Sequence, residues 1–166
     1  MSEFSMEKAA RAEVANAVAE TPGSDVDPVL RMVSVSSGPI ETSVHEAAVE
    51  HVRAGARVLF CGVVREHDHG RDVVELEYQG HPSAEQVLTD VATEFAAEPG
   101  VLALAVSHRV GVLAVGDVAL VAAVATAHRQ EAFDVCGRLV DEVKRRLPIW
   151  KRQMFTDGTD EWVNCP

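Results

Sequence analysis

Cysteine is scarce in this 166-residue chain, and its three cysteines show no recognisable spacing. Cys61, Cys136 and Cys165 lie far apart, so no CxxC pair is present for a zinc site or a dithiol redox centre. An odd, unpatterned set of cysteines is typical of a reducing compartment, and we expect a cytoplasmic protein. We expect Cys61 and Cys136 to pack in the core, because each lies in an apolar stretch, and Cys165 to be exposed.

Long apolar runs are also lacking. Runs such as residues 118–125 fall far short of the ~20 residues that cross a membrane, and the N-terminus has neither the basic start nor the apolar stretch of a signal peptide. Apolar residues still make up 47% of the chain, which suffices for a core without metals or disulfides. We therefore expect one domain over residues 29–166, preceded by a flexible extension over residues 1–28 that includes a short helix over residues 6–20.

Basic residues are fewer than acidic residues in this chain, and they are unevenly distributed along it. The net charge of −11 disfavours a general nucleic-acid binder. Six of the 15 basic residues nevertheless lie within residues 138–152. A local basic patch on an acidic protein indicates an anionic ligand of limited size. The alternative is that Lys144, Arg145 and Arg146 only close a helix C-terminus, where the helix dipole favours cations.

Apolar periodicity predicts mixed strands and helices, which we assign to the α+β class with antiparallel and mixed sheets and about three main helices. Strands are predicted over residues 29–35, 56–65, 73–78, 101–110, 117–126, 149–155 and 161–164. Helices are predicted over residues 42–53, 84–97 and 128–147. Ser43 and Glu46 are expected to form a capping box. The continuous apolar run of residues 117–126 predicts a strand buried on both faces.

Two connections between these elements carry predictions of their own. The strands over residues 56–65 and 73–78 are expected to form an antiparallel hairpin across the polar turn of residues 67–72. Residues 111–116 are expected to be a short connection between strands.

Basic residues are predicted at the ends of several elements. Arg65 closes a strand. His128 and Arg129 precede or begin the longest helix, whose unpaired N–H groups and positive partial charge favour an anion. A simple surface position for Arg129 is an equal alternative. Lys144 and Lys151 flank a proline break at which the chain reverses, so both can face one pocket.

Lys144 falls at the edge of the apolar stripe of its helix. That stripe comprises Ala132, Phe133, Val135, Cys136, Leu139, Val140 and Val143. Partial burial beside Arg145 and Arg146 would lower the pKa of the Lys144 amine, and such a lysine can act as nucleophile or base. The alternative, which periodicity alone favours, is an exposed lysine near a helix end.

The histidines give only weak signals. His67 and His69 form an HxH pair, but no carboxylate or third histidine is placed beside them, and a solvated loop is the favoured interpretation. His108 lies inside a strand pattern, and we expect a structural role for it. We expect neither a metal nor a cofactor.

Five segments, taken together and in order, resemble the catalytic (large) subunit family of molybdopterin synthase. They are residues 55–65 with 76–78, residues 107–113 with 116–117, residues 127–129 with 132–133, residues 141–144 with 147–151, and residues 157–158 with 161–163. The resemblance covers roughly residues 29–164.

The resemblance implies a hammerhead-type α+β fold and a homodimer. It also implies a small ubiquitin-like sulfur-carrier partner that completes a heterotetramer. The C-terminal Gly-Gly thiocarboxylate of the carrier would enter a pocket on this chain. The implied substrate is cyclic pyranopterin monophosphate, the product is the dithiolene molybdopterin, and two carriers are consumed per product.

Matched position by position, the resemblance implies two catalytic lysines, Lys144 and Lys151, with Lys144 beside the carrier C-terminus. The implied substrate-binding set is Val63, Val64, Arg65, His128, Arg129, Lys144, Lys151, Arg152 and Gln153. The chain departs from the family pattern over residues 79–84, where many relatives carry a Tyr and a Met, and beyond Trp162, where a basic residue of some relatives is missing.

Three alternatives stay open at this point. The first is a non-catalytic module that docks a ubiquitin-like protein. The second is a metal hydrolase that uses His67, His69 and His128. The third is a persulfide sulfurtransferase that uses Cys165.

Overall fold

The computed structural model describes residues 28–164, which form two β-sheets and three helices. The strands are β1 (Leu30–Ser36), β2 (Ala56–Val63), β3 (His67–Asp68), β4 (Arg71–Gly80), β5 (Val101–Arg109), β6 (Gly111–Ala114), β7 (Val118–Thr126), β8 (Ile149–Phe155) and β9 (Asp160–Asn164). The helices are α1 (Thr42–Ala48), α2 (Ala84–Ala96) and α3 (Arg129–Arg146). This confirms the α+β class. The predicted helix over residues 6–20 and Cys165 lie outside the described residues.

The first sheet has the strand order β1-β5-β7-β2 and carries helices on both faces. Strand β1 runs parallel to β5, and the other neighbours are antiparallel. Leu104 and Val106 of β5 point into the main core with α2 and α3, whereas Ala103 and Ala105 point into a small cluster beneath α1. The same alternation along β7 confirms that this strand is buried on both faces. Within residues 28–164, no helix is long and apolar enough to cross a membrane.

The second sheet has the order β3-β4-β8-β9, and β6 also pairs with β4. Its inner face forms a separate core together with Val64, which follows β2, and Ala119 of β7. The residues contributed by the second sheet are Val73, Leu76, Leu113 and Phe155. Tyr78 packs against both this core and the main one. The second sheet therefore contacts the first over a limited area, and the candidate site lies at that junction.

The predicted hairpin between the strands of residues 56–65 and 73–78 is wrong. Strand β2 pairs along its length with β7, while β4 lies in the second sheet. The local hairpin is instead β3–β4, which turns at His69 and Gly70 with φ values of 47° and 79°. Positive φ at both central residues is the geometry of a two-residue hairpin turn. That turn and the long register with β7 together place β2 and β4 in different sheets.

Two further local predictions need correction. Residues 111–114 are not a plain connection but form strand β6, which pairs with β4. The chain turns at Gly111 and at Gly116, which both have positive φ. Helix α1 ends at Ala48 rather than near residue 53, and its N-cap residue Glu41 makes no side-chain capping bond, so the Ser43 capping box is wrong.

The apolar stripe of α3 is narrower than predicted. Ala132, Val135 and Cys136 are buried, as are the later members of the stripe, but Phe133 is exposed. Cys61, expected in the core, is only half-buried. Phe133 therefore lies outside the core-facing stripe of α3.

Candidate functional site

A cavity of about 330 Å³ opens where the end of β2, the C-terminal end of α3 and the second sheet meet. Its size suits a small-molecule ligand. The cavity is lined by Val63, Val64, Arg65, Asp68, Val73, Leu76, Tyr78, Lys144, Lys151 and Gln153. The structure therefore brings together six of the nine residues that the family resemblance implies for a substrate site.

The end of β2 supplies the first wall. Val64 is buried, and its N–H donates a 2.9 Å bond to the carbonyl of Asp117, while its carbonyl accepts a bond from the N–H of Gly116. These bonds turn the chain out of the first sheet. The next side chain, Arg65, is 69% exposed and projects at the mouth of the cavity.

Strand β8 supplies the second wall. Lys151 and Gln153 are two residues apart and share one face of the sheet, opposite Tyr78 and Leu76 of β4. Arg152 lies between them in sequence and points to the other face. There its guanidinium binds Asp160 and Glu77, so Arg152 does not line the cavity. The alternation of a strand explains why this predicted substrate residue is separated from its neighbours.

Lys144 reaches the cavity from the last turn of α3. Its neighbours Arg145 and Arg146 form ion pairs with Glu142 and Glu94. Within residues 28–164, no carboxylate lies within 4.0 Å of the Lys144 amine, which thus remains available to an anion. The side chain is exposed, as the apolar periodicity of α3 favoured, rather than partly buried.

Asp68 is the charged residue of the cavity that sequence reasoning missed, along with the apolar and aromatic side chains of Val73, Leu76 and Tyr78. Its side chain is only 12% exposed. Its Oδ1 accepts a 2.5 Å bond from Arg65, and its Oδ2 accepts a 2.6 Å bond from Gln153 and lies 3.7 Å from the Lys151 amine. The bond from Gln153, followed by the contacts with Arg65 and Lys151, lowers the pKa of Asp68 from 3.8 to about 2 against the opposing effect of burial. The sequence signal that could have located it is the His69-Gly70 turn, because this turn folds Asp68 back onto the second sheet.

His108 lies beneath Lys144 and is 7% exposed. Its Nδ1 is 2.8 Å from the carbonyl of Arg109, and its ring meets the edge of Tyr78 at 5.2 Å between centroids. Burial, with a smaller contribution from the Lys144 charge, lowers the pKa of His108 from 6.5 to about 4. The imidazole is therefore neutral at pH 7 and supports the cavity wall from inside, as expected of a structural histidine.

His128 and Arg129 do not line this cavity. They are exposed at the N-terminus of α3, whereas Lys144 is in its last turn. A rise of 1.5 Å per residue separates Arg129 from Lys144 by roughly 22 Å along the helix axis. This pair therefore does not join Lys144 in one cavity of a single chain, although the resemblance implies one substrate-binding set for all three.

Other parts of the described chain are weaker candidates for a functional site. A larger cavity of about 460 Å³ is lined by Glu50, His51, Val52, Ala54 and Arg57, and Arg57 there is already paired with Glu50. His69, in the predicted HxH pair, has a side chain that is 82% exposed. Among residues 28–164, no three His, Cys, Asp or Glu side chains are grouped to hold a metal ion.

Fold and site together define a class of protein: a two-sheet α+β chain with a small cavity that presents three cations and one fixed carboxylate. Comparison with known proteins makes this specific. The family model described as MoaE protein matches residues 35–146, so the chain belongs to the MoaE family.

Individual relatives agree with this assignment. The molybdopterin synthase catalytic subunit of Bacillus subtilis is 35% identical over 130 residues, which span 78% of this chain and 82% of the relative. The crystal structure of molybdopterin synthase from Staphylococcus aureus matches with a TM-score of 0.71 at 30% identity, covering 78% of this chain and 94% of that one. A chain in the Helicobacter pylori complex of subunits 1 and 2 of molybdopterin-converting factor shares the fold, with a TM-score of 0.60 at 17% identity and coverage of 82% and 89%.

Proposed function

We propose that this cavity is the sulfur-transfer site of a molybdopterin synthase catalytic subunit, and that cyclic pyranopterin monophosphate is its substrate. The observation that carries the proposal is the meeting of Arg65, Lys144 and Lys151, from three separate elements, in one cavity of a chain with net charge −11. The substrate phosphate and the thiocarboxylate that delivers sulfur are both anions. A cationic cavity on an acidic protein suits both.

The reaction requires sulfur to leave the terminal carbonyl carbon of a carrier protein. A carbon–sulfur bond to the pterin forms, the carbon–sulfur bond to the carrier breaks, and water supplies the oxygen that leaves the carrier with a carboxylate. We assign to Lys144 stabilisation of the oxyanion at that carbon, or proton transfer to it. Arg65 suits a two-pronged contact with phosphate, and Lys151 supplies a second cation on the opposite wall.

The proposed partner is a small ubiquitin-like carrier with a C-terminal Gly-Gly. The B. subtilis relative is named a catalytic subunit, and the H. pylori structure is a complex of two subunits. We propose the same kind of assembly here, a heterotetramer built on a dimer of this chain. Free Cys61 and Cys136 fit the proposed cytoplasmic location.

The assignments of His128, Arg129 and Arg152 stay predictions from the family resemblance. His128 and Arg129 are too far along α3 to contact a small ligand held by Lys144 in the same chain. Arg152 is occupied by Asp160 and Glu77 on the outer face of β8.

A reconstitution experiment tests the proposed function. The full chain is mixed with a thiocarboxylated ubiquitin-like carrier and cyclic pyranopterin monophosphate, and the dithiolene product is measured. We expect product in proportion to the carrier consumed, at two carriers per product. Carrier binding without any dithiolene would support the non-catalytic docking module instead.

A further inference from the structure

Asp68 is the unexpected residue of the cavity, because it places a carboxylate where the proposed ligands are anions. It is nonetheless held firmly. Both of its oxygens accept hydrogen bonds, from Arg65 at 2.5 Å and from Gln153 at 2.6 Å. With a pKa of about 2, Asp68 is ionised throughout the neutral range.

The backbone holds Asp68 in this position independently of the cations. Asp68 pairs with Arg71 across the two-residue turn of the β3–β4 hairpin. Arg71 in turn stacks on Phe155 at 3.6 Å and forms an ion pair with Asp157 at 3.0 Å, which ties the hairpin to β8 and to the turn before β9. The hairpin therefore remains anchored when a ligand takes over the exposed donors of Arg65.

Gln153 fixes the side chain as well as the backbone. It is 4% exposed, and its amide donates to the Asp68 Oδ2 that faces Lys151. A buried amide donor loses its acceptor if that oxygen is removed, and this loss is costly. Asp68 is thus the acceptor that buried Gln153 requires, and its charge faces the cations of the cavity.

We propose that Asp68 is a positioning and specificity-determining residue: its carboxylate holds Arg65 and Lys151 and lowers the net charge of the cavity, so that anions bind loosely enough to be released. This inference rests on the proposed function. Arg65, Lys144 and Lys151 alone would give the cavity a net charge of three, and Asp68 reduces it to two. The spent carrier tail and the product are both anionic, so each turnover requires an anion to leave.

The test compares Asp68→Asn with the matched control Asp134→Asn in the full chain. The Asp68→Asn variant keeps one acceptor oxygen, which can serve Gln153, and loses the charge together with the acceptor for Arg65. Asp134 forms an exposed ion pair with Arg138 on α3 and lies outside the cavity. Both variants therefore change the net charge of the protein equally.

Binding of inorganic phosphate is measured first by titration calorimetry, because it needs no carrier and no sulfur transfer. We expect Asp68→Asn to bind phosphate about tenfold more tightly than wild type, since one unit charge a few ångströms from the ligand has an effect of that order. Asp134→Asn should match wild type. Equal affinity in all three proteins would overturn the proposal.

The catalytic assay then separates positioning from simple loss of structure. For Asp68→Asn we expect kcat to fall about tenfold while KM for the phosphorylated pterin also falls, because release is slowed and Lys151 is less well held. A raised KM with unchanged kcat contradicts the proposal. If Asp68→Asn folds poorly, Asp68→Ser, which also keeps an acceptor without a charge, should show the same tightening.

The two proposals fail in different ways. Tighter phosphate binding by Asp68→Asn, with no dithiolene formed by any of the proteins, supports the role of Asp68 and refutes the proposed reaction. Sulfur transfer by wild type, with phosphate affinity, kcat and KM unchanged in Asp68→Asn, refutes the role of Asp68 alone.

Discussion

Lys144, Arg145 and Arg146 are consecutive, yet each has different surroundings. Successive residues of a helix are turned by ~100°, so Arg145 faces Glu142, Arg146 faces Glu94 of α2, and Lys144 faces the cavity. The alternative that these basic residues only close the C-terminus of the helix is therefore correct for the two arginines but not for Lys144. A count of basic residues along the chain cannot make this distinction, since it depends on where α2 packs.

Replacing Lys144 tests this distinction at the residue scale. We expect Lys144→Ala to lower the rate of dithiolene formation about 10²- to 10³-fold, the loss typical of removing one group that stabilises an oxyanion. Arg145→Ala is the control, since it removes the adjacent charge from an exposed ion pair and should leave the rate within about twofold. A Lys144→Ala protein with the full rate would remove Lys144 from the mechanism.

Among the elements, the β3–β4 hairpin does most to shape the cavity. Its turn places two successive residues, His69 and Gly70, at positive φ. Glycine adopts this conformation without steric cost, whereas other residues lose about 1–2 kcal/mol there. The hairpin thus depends on Gly70 for its geometry, and the position of Asp68 depends on the hairpin.

Substitution of Gly70 should expose this dependence. A Cβ at Gly70 has no neighbour within 4 Å, so Gly70→Ala changes only the backbone preference. We expect it to lower the free energy of unfolding by about 1 kcal/mol. Gly137→Ala, equally free of neighbours but inside α3, should raise it by about 0.5–1 kcal/mol. Urea unfolding of both variants measures the contrast, and a stabilised Gly70→Ala protein would contradict it.

The elements also show how far the sequence predicts this fold. All three helices and the principal strands lie near their predicted positions, because apolar periodicity records which side of an element is buried. The partner of β2 was predicted wrongly, since periodicity does not record which strand lies alongside. Lys144 and Lys151 were identified by their place in a family motif. Asp68 was not, because its role depends on a turn that returns it to Gln153, 85 residues further along the chain.

The molecule as a whole should lose stability in acid in two steps. Burial holds the pKa of His108 near 4 instead of 6.5, and the pKa of Asp68 is about 2 instead of 3.8. In both cases the unfolded chain binds the proton first as the pH falls. Stability is therefore complete above about pH 6.5, declines between 6.5 and 4 through His108, and declines again between about 4 and 2 through Asp68.

Substitution of His108 tests whether this residue causes the loss of stability between pH 6.5 and 4. The ion-paired carboxylates Glu94, Glu98 and Glu142 have pKa values below 4.5, so they contribute only under more acidic conditions. Wild type should lose up to about 1.4 kcal/mol per pH unit between pH 6 and 4.5, the limit for one proton. The His108→Gln protein should show a flatter profile in thermal melts over the same range. Parallel profiles would show that another group is responsible.

Tyr78 joins two cores of unequal size, with eighteen buried residues in the main core and six in the core of the second sheet. The smaller unit buries less apolar surface, so it opens at a lower free energy than the main core. Amide protons of β4 and β8 should accordingly exchange with solvent through partial openings that leave β5 and β7 protected. Heating would then inactivate the enzyme before the helical circular dichroism signal is lost, because Lys151 and Gln153 belong to the part that opens first.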